Sequence, residues 1–264
     1  MLRPRFIPGL NATVDWFDVS LKGAIELIGS STILDTCLET GDPRHCSRIH
    51  RDANGSLWQT LEGFVDNRAA NIGSIKVRGV DVGLTYRRTF GRRGSLDFEL
   101  LGSWLDQSTF AGGGLAPTVT CAGAYGFICG VPRPRWRHWA RTTWTFSGPL
   151  SLSLYWRYVG SVRLDRSIPG NPTNDGPWRP GDERIGSQNY FDLTAVARIS
   201  KRYEFRLGVR NIFDREPPIV TGRTDDLAGV CTSPACNGNT FPQLYDPLGR
   251  YLFAGVTISL DRPK

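Results

Sequence analysis

The chain has 264 residues, of which 40% are hydrophobic and 22% are charged. This composition is too polar for a bundle of membrane-spanning helices and too apolar for a disordered chain. The net charge of +7 comes from positive residues spread along the whole sequence. That distribution favours solvated charges over a nucleic-acid surface. No stretch approaches 18 consecutive apolar residues, and the N-terminus lacks the apolar core of a secretory signal, which suggests a start within a longer protein.

Apolar and polar residues alternate with a period of two in eight segments, as expected for strands with two different faces. Each segment has about ten residues, the length that a tilted strand needs to cross the hydrocarbon of a bilayer. A short helix of one or two turns is predicted from Ser31 to Leu38, within a loop. The predicted strands lie near residues 11–22, 72–88, 95–108, 136–147, 150–163, 188–200, 203–213 and 248–260.

Short and long connections alternate between these strands. The short ones are 90–94, 147–149 and 200–202, and the long ones are 23–71, 109–135, 164–187 and 214–247. A soluble domain rarely carries several such long loops, whereas outer-membrane barrels combine short periplasmic turns with long extracellular loops. The fold class predicted is therefore all-β: an antiparallel transmembrane β-barrel, here an incomplete wall of about eight strands.

Aromatic residues cluster near the predicted strand ends, where a barrel in lipid carries its two aromatic girdles. A soluble sandwich could use the same aromatics in its core, but most strands carry charged residues on one face, which suits a wet lumen. The residues assigned to the girdles are Trp16, Phe17, Trp104, Trp136, Trp139, Trp144, Phe146, Tyr190 and Phe191.

The six cysteines form three local pairs, each inside one long connection. Six cysteines allow 15 connectivities, and local closure is the simplest. Disulfides would indicate an oxidising compartment, and the spacings do not match a zinc site, although free or metal-binding thiols remain the alternative. The predicted pairs are Cys37 with Cys46, Cys121 with Cys129, and Cys231 with Cys236.

Three motifs, in this order along the chain, resemble those of TonB-dependent receptor barrels. The first is a Gly-Val-Asp strand start, the second an Asn-x-Phe-Asp-x-x-Pro-Pro segment after the penultimate strand, and the third a Tyr-Asp-Pro-x-Gly-Arg segment before the last strand. The residues that carry the resemblance are Gly79, Val80, Asp81, Asn211, Phe213, Asp214, Pro217, Pro218, Tyr245, Asp246, Pro247, Gly249 and Arg250.

The resemblance implies a transporter in the bacterial outer membrane with a plugged, 22-stranded barrel. Such a receptor imports a scarce nutrient, for example a ferric siderophore, cobalamin or an oligosaccharide, with energy from an inner-membrane TonB complex. It would contact outer-membrane lipid and the barrel-assembly machinery. Because eight strands are about a third of such a barrel, residues 1–264 are expected to be its C-terminal part, without plug or signal peptide. This part would be inactive alone, and would reach TonB only through the missing N-terminal part.

No spacing of residues selects a catalytic, cofactor or metal site, so the chain is not expected to be an enzyme or to carry a cofactor. His45 and His50 share a cysteine-bearing loop and are more readily explained as solvated residues than as metal ligands. Ligand contacts are expected from the long loops, where aromatic rings stack on sugars or aromatic siderophores and Arg pairs with carboxylates. Packing within the loops is an equal explanation. The candidates are Tyr125, Phe127, Trp178, Arg179, Arg184 and Arg223.

Two other interpretations of the same pattern are open at this point. One is a complete small outer-membrane barrel of eight to ten strands, acting as a rim enzyme or a structural porin. The other is a secreted β-sandwich that binds a partner. A small closed barrel has a lumen only wide enough for side chains, and the many charges on the predicted inward faces would have to pair densely there.

Overall fold

A computed structural model describes residues 2–112, 118–126, 128–171, 180–200, 202–221 and 238–259. Its main feature is a wall of eight long strands, each antiparallel to its neighbours and arranged in chain order. The strands are β1 (Leu10–Glu26), β2 (Ala70–Thr89), β3 (Ser95–Ala111), β4 (Trp136–Thr145), β5 (Leu150–Val159), β6 (Gln188–Ile199), β7 (Tyr203–Arg210) and β8 (Tyr251–Ile258).

The wall is an open, incomplete barrel. Within the described ranges β8 pairs only with β7, and β1 pairs with β2 and, at its start, with the isolated residue Leu2. Because β1 and β8 do not meet, the closed small barrel is excluded. The eight strands lie in a single sheet, so the β-sandwich is excluded too.

The strands end close to where the sequence predicts, and the exceptions have local causes. β5 ends at Val159, where Gly160 still donates its N–H to the carbonyl of Trp136 at 2.9 Å before the chain leaves the wall. β7 stops at Arg210 because Asn211 has a φ of 49°, which no strand residue adopts. The short turn after β2 needs glycine at 94, where φ is 114° and a Cβ would lie 2.0 Å from the carbonyl oxygen of Thr145.

The connection from β1 to β2 contains more helix than predicted. Helix α1 (Ser30–Thr40) has three turns and ends where Gly41 adopts a left-handed φ of 65°. Helix α2 (Pro43–Cys46) is capped by Asp42, whose side chain accepts the N–H of Arg44 at 2.9 Å. A two-stranded hairpin, Ile49–His50 with Phe64–Val65, follows. Among the described helices, none is long and apolar enough to span a bilayer.

The other long connections fold together into a small unit with its own core. Short strands Ala124–Gly126, Gly130–Arg133, Val162–Leu164 and Arg184–Ile185 form a second sheet. Strand Val119–Thr120 pairs with β3, and single 3-10 turns occupy Gly91–Arg93, Asp165–Ser167 and Pro180–Asp182. We call the buried cluster of this unit the loop core: Tyr125, Val159, Val162, Leu164, Ile185, Val220, Phe241 and Tyr245.

Two disulfides lie in these connections, between Cys37 and Cys46 and between Cys121 and Cys129. Cys231 and Cys236 lie outside the described residues. Next to the second disulfide, the carboxylate of the fully buried Asp165 accepts the N–H groups of Ile128 and Cys129, each at 2.9 Å. The described part of the connection between β3 and β4 lacks long strand pairs, and the disulfide and the buried hydrogen bonds to Asp165 stabilise it instead.

The register gives the wall one apolar and one polar face. On β5, Leu152, Leu154 and Trp156 point to the same side as Leu193 and Leu207 on the following strands. We call this side the apolar face and the opposite side the polar face. On β2 the apolar face begins after Arg78 and ends before Arg88. A band without Asp, Glu, Lys or Arg therefore runs across the eight strands.

The aromatic residues divide between the faces rather than forming girdles alone. Trp136, Trp156 and Phe191 lie on the apolar face, where Trp156 stacks on Phe191 at 5.9 Å between ring centroids. Phe90 and Trp144 stack at 5.4 Å near the opposite end of the strands. The assignment of Phe17, Trp139 and Tyr190 to the girdles is wrong, because the register turns their side chains to the polar face.

Candidate functional site at the mouth of the polar face

Cross-strand pairing aligns the side chains of the polar face into rows. One row crosses β1 to β5 close to the point where β4 begins and β5 ends, and it runs from Asp15 on β1 through Asp81, Ser103 and Arg137 to Val159 on β5. We call it the mouth row. It lies one residue below the level of Trp16, Trp104 and Trp136, and the paired parts of β1, β2 and β3 continue beyond it towards the loops.

Charges in the lower rows have opposite charges beside them. Arg87 Nε lies 2.6 Å from Asp97 Oδ1, and Glu99 stands directly opposite Arg141 on the next strand. Glu204 binds Arg198 at 2.8 Å and Arg206 at 3.1 Å. Opposite charges directly across a strand pair stabilise a sheet, so each of these charges has a favourable neighbour.

The mouth row has no such balance. Asp15 and Asp81 are direct cross-strand partners, and like charges in that position destabilise a sheet. Neither carboxylate forms an ion pair with any described residue, and the same holds for Arg137. Ser103 and Val159 separate Arg137 from the next charged groups in the row. All three charged side chains are exposed.

An open cleft of about 500 Å³ lies over this row, within the size range of small-molecule pockets. Leu101, Trp139 and Tyr155 supply apolar and aromatic surface below the charges, and Leu244 from the loop before β8 closes one side. The Arg141 guanidinium lies 5.2 Å from the centre of the Tyr155 ring, which in turn contacts Trp139 at 5.6 Å. The cleft thus combines two carboxylates, the guanidinium groups of Arg137 and Arg157, and an aromatic floor.

Arg157 fixes the loop that bears Leu244. Its Nη2 donates to Asp192 Oδ1 on β6 and to Asp246 Oδ2 in the loop, both at 3.0 Å. The guanidinium also lies 5.1 Å from the ring centre of Tyr190. Both carboxylates are nearly buried, so these charge-assisted bonds form in a low-dielectric setting where they are strong. One arginine therefore joins two strands and the loop.

The family-like motif after β7 builds the same junction. Asn211 donates its backbone N–H to Asp192 Oδ1 at 2.9 Å, and its side-chain oxygen accepts the N–H of Arg215 at 2.8 Å. Asp214 accepts the N–H of Arg250 at 2.7 Å, beside Gly249 at φ 71°. These residues shape the backbone before the last strand.

The remaining motif residues have other positions. A Cβ at Gly79 would lie 2.3 Å from the carbonyl oxygen of Trp104, so only glycine fits there. Val80 lies on the apolar face and Asp81 in the mouth row. Phe213 is exposed and meets Phe191 edge-on at 5.6 Å. Pro217 and Pro218 are half-buried and Pro247 is exposed, whereas Tyr245 lies in the loop core, where burial raises the pKa of its phenol.

The predicted ligand contacts are not brought together in the described part of the chain. Tyr125 is fully buried in the loop core, its hydroxyl donates to the carbonyl of Asp182, and burial raises its pKa. No surface of this ring is available to a ligand in this structure. Arg184 is exposed, with its Nη2 3.2 Å from Ser161 Oγ. Phe127, Trp178, Arg179 and Arg223 lie outside the described residues.

The two loop histidines have protein neighbours. His45 is buried with its Nδ1 3.8 Å from Asp42 Oδ2, and His50 stacks on Phe64 at 4.4 Å. Across the described ranges, no group of three or more His, Cys, Asp or Glu side chains is placed to hold a metal ion.

Sequence reasoning missed Asp15, Arg137 and Trp139 as members of one site. They lie on β1 and β4, and only the pairing of β1, β2, β3 and β4 in register brings them to one cleft. The sequence pattern could have shown only that each of these residues lies on the polar face of its own strand. Alternation assigns a residue to a face but not to a row across strands.

Comparisons with known proteins agree on the fold. Residues 5–212 match the family model described as TonB dependent receptor-like, beta-barrel. No curated protein matches the sequence. A variant of the ferric enterobactin receptor from Pseudomonas aeruginosa, solved with enterobactin, superposes with a TM-score of 0.59 at 16% identity and covers 95% of this chain and 29% of its own. The siderophore receptor PirA from Acinetobacter baumannii superposes with a TM-score of 0.53 at 14% identity, and the match covers 94% of this chain and 29% of PirA.

This chain therefore spans less than a third of the length of those receptors. At this identity the superpositions establish the shared wall architecture alone. The family match, in contrast, covers most of the sequence and includes seven of the eight strands, as far as the end of β7. Members of this family are receptors and transporters of the outer membrane. The chain belongs to the TonB-dependent receptor-like β-barrel family.

Proposed function

We propose that residues 1–264 form the C-terminal part of an outer-membrane receptor barrel that binds a scarce nutrient for TonB-energised uptake, with a ferric siderophore as the first candidate. The polar face lines the lumen, the long connections face the cell exterior, and the cleft over the mouth row meets the ligand. In this proposal the chain acts as a carrier rather than an enzyme, and the barrel-assembly machinery inserts it.

The charge-free band of the apolar face is the observation that carries the proposal. On β2 it lies between Arg78 and Arg88, ten residues apart. At about 3.4 Å per residue and a tilt of 35–45°, that length spans roughly 25 Å, the height of the lipid-facing band of outer-membrane barrels. Exposed apolar residues such as Val14, Leu207 and Leu252 fit a lipid environment and would be an aggregation hazard in water.

The placement within a larger barrel is supported by the two unpaired edges. Open edges of this kind do not persist in a hydrocarbon environment, because each unpaired N–H and C=O group there costs several kcal/mol. Further strands beside β1 and β8 would pair them. The order of the motifs around β7 and β8, and the share of the receptor length that the chain covers, favour a C-terminal position.

A siderophore is favoured among the nutrients by the structural relatives, which are a ferric enterobactin receptor and a siderophore receptor. Their ligands are properties of those proteins, and the low identity leaves the ligand of this chain to experiment. The cleft offers guanidinium and aromatic groups for recognition of small anionic or aromatic molecules.

Uptake of a labelled ferric siderophore tests the transport part. The gene region that encodes the chain in its natural context is expressed in a Gram-negative host without its own siderophore receptors, with and without TonB. We expect uptake only in the host with TonB. Uptake that is equal in both hosts, or absent for siderophores, cobalamin and oligosaccharides alike, contradicts the proposal.

Insertion is tested in lipid vesicles with the receptor expressed from the gene region that encodes the chain in its natural context. Polarised infrared spectroscopy of the reconstituted receptor should give a strand tilt of 35–45° from the bilayer normal. A chain that stays soluble and monomeric without detergent or lipid would contradict the assignment of the apolar face to lipid.

A further inference from the structure

We propose that the mouth row binds the two charged ends of an elongated zwitterion, with an ammonium group between Asp15 and Asp81 and a carboxylate at Arg137. The inference rests on the proposed receptor function and names the chemistry of the ligand part that enters the cleft. The class is peptide-like: a positive and a negative end separated by a short, partly apolar middle.

The acidic end needs a cation from outside the described chain. Asp15 and Asp81 face each other across β1 and β2, and neither has a basic partner among the described residues. Every other acidic side chain of the polar face on β2 to β7 stands beside an arginine. The repulsion between the two carboxylates is therefore confined to this row, where a bound ammonium group would relieve it.

Arg137, at the basic end of the mouth row, has no acidic partner among the described residues. Arg137 is flanked along its row by Ser103 and Val159, which bring no negative charge. A guanidinium presents a planar fork of donors that matches a carboxylate with two parallel hydrogen bonds. Arg157 also lines the cleft, but its charge is already compensated within the chain, because its Nη2 bonds both Asp192 and Asp246.

The register sets the distance between the two ends of the ligand. Asp81 and Arg137 are two strands apart in one row, which corresponds to about 10 Å at the usual spacing between strands. An extended tripeptide spans about 10 Å as well. A single amino acid is too short to reach both ends at once.

The middle of the ligand lies over an apolar and aromatic surface. Leu101 and Trp139 stand opposite each other in the next row down, and Leu244 faces them from the loop. An apolar side chain at the centre of the ligand would be removed from water there. Polar ends with an apolar middle therefore match the order of groups in the cleft.

The test uses one tripeptide and two derivatives that each lack one charge. Glycyl-phenylalanyl-glycine, its N-acetyl form and its C-amide form are titrated calorimetrically in detergent against the receptor expressed from the gene region that encodes the chain in its natural context. We expect the free peptide to bind about tenfold more tightly than either derivative, because each derivative loses one charge-assisted contact.

Variants assign each charge of the peptide to one end of the row. In Asp81→Asn the preference for the free over the N-acetyl peptide should shrink, because only Asp15 still holds the ammonium group, while the preference over the C-amide persists. In Arg137→Gln the free and C-amide peptides should bind equally well, while the preference over the N-acetyl form persists. Asp35→Asn on α1 and Arg92→Gln in the turn after β2 are matched controls that should leave all affinities unchanged.

Failure takes a distinct form. Equal binding of the three peptides, no binding of any, or charge preferences that Asp81→Asn and Arg137→Gln leave intact would overturn the inference. Where Asp81→Asn does not fold, Asp15→Asn tests the same end. None of these outcomes bears on lipid insertion or TonB-dependent uptake, so the proposed function is tested separately by the uptake and insertion experiments.

Discussion

The wall and the loop core use the same apolar residue types in opposite ways. In the wall, Leu207 is 61% exposed and Leu252 is 74% exposed, whereas Leu164 and Phe241 in the loop core are fully buried. Of the four largest fully buried side chains in the described ranges, Tyr125, Tyr245 and Phe241 belong to the loops, and Tyr190 lies on β6 at the junction with Arg157. The wall depends on its backbone ladders and on the surroundings of the apolar face. The loops depend on a packed interior of their own.

The two regions have separate interiors, so changes inside one of them should affect the other less. They are joined where Val119–Thr120 pairs with β3 and at the junction around Arg157, which bonds a strand of the wall to the loop before β8. The following changes are designed to act on the junction, on one region, or on one side of the wall.

Arg157→Ala should destabilise both regions at once. Removing one partner of a largely buried charge cluster costs about 3–5 kcal/mol, because Asp192 and Asp246 lose their common counter-ion. Denaturant unfolding in detergent, followed by tryptophan fluorescence, measures the loss. Arg157→Lys keeps the positive charge but loses one hydrogen bond, so its unfolding midpoint should lie between those of the unchanged protein and Arg157→Ala. An unchanged midpoint in Arg157→Ala would show that the junction is not what couples the regions.

Leu207→Arg should affect the wall alone. The side chain lies on the apolar face, where an arginine near the middle of a bilayer costs about 2–4 kcal/mol. Vesicle-bound folding yield measures the effect. The control is Thr194→Arg on the polar face of the neighbouring strand, directly opposite Gly208. Equal losses in the two variants would contradict the assignment of the faces.

Replacing Cys121 and Cys129 by serine should loosen the loops alone. The disulfide closes a short loop, and its removal costs about 2–3 kcal/mol. Amide exchange around Asp165 should accelerate while exchange in β2 and β3 stays slow. The matched variant replaces Cys37 and Cys46, which lie in a different connection and should leave the loop core protected. Faster exchange throughout the wall would contradict the separation.

The smallest effect concerns the cap of α2. Hydrogen bonds from the Arg44 side chain and backbone lower the pKa of Asp42 to about 2. Since the pKa is lower in the folded state, the carboxylate stabilises the cap above a pH of about 4, and the contribution is lost as the pH falls through about 2. The carboxyl carbon shift gives the midpoint. Arg44→Gln should raise it towards about 4, and an unchanged midpoint would argue against this cause.

Much of the wall could be predicted because its signal is local. Alternation in the segment from Tyr203 to Val209 assigns both the strand and its two faces. Motif residues such as Asn211 and Gly249 mark backbone positions with positive φ that few residues adopt. The helix α1 was underestimated because its apolar side is short, and the Cys37–Cys46 disulfide holds a segment whose propensity alone is weak.

The cleft was not predictable in the same way. Trp139 and Tyr190 are aromatic and lie near strand ends, as girdle residues do. A shift of one residue in register decides whether such a ring faces lipid or the polar side. Tyr125 is an aromatic residue in a long loop, as expected of a ligand contact, yet Phe241, more than a hundred residues later in the chain, packs against it in the buried loop core. Non-local contacts of this kind leave no periodic pattern in the sequence.

The amino-acid order by itself determined the number of strands, the alternation of short and long connections and which residues of each strand share a face. These follow from the period of two and from turn chemistry within a few residues. Only the tertiary structure decided that the wall stays open, that Asp15 meets Asp81 two strands from Arg137, and that Arg157 holds the last loop. Hydrogen-bond register between distant segments sets those positions, and register is a property of the assembled sheet.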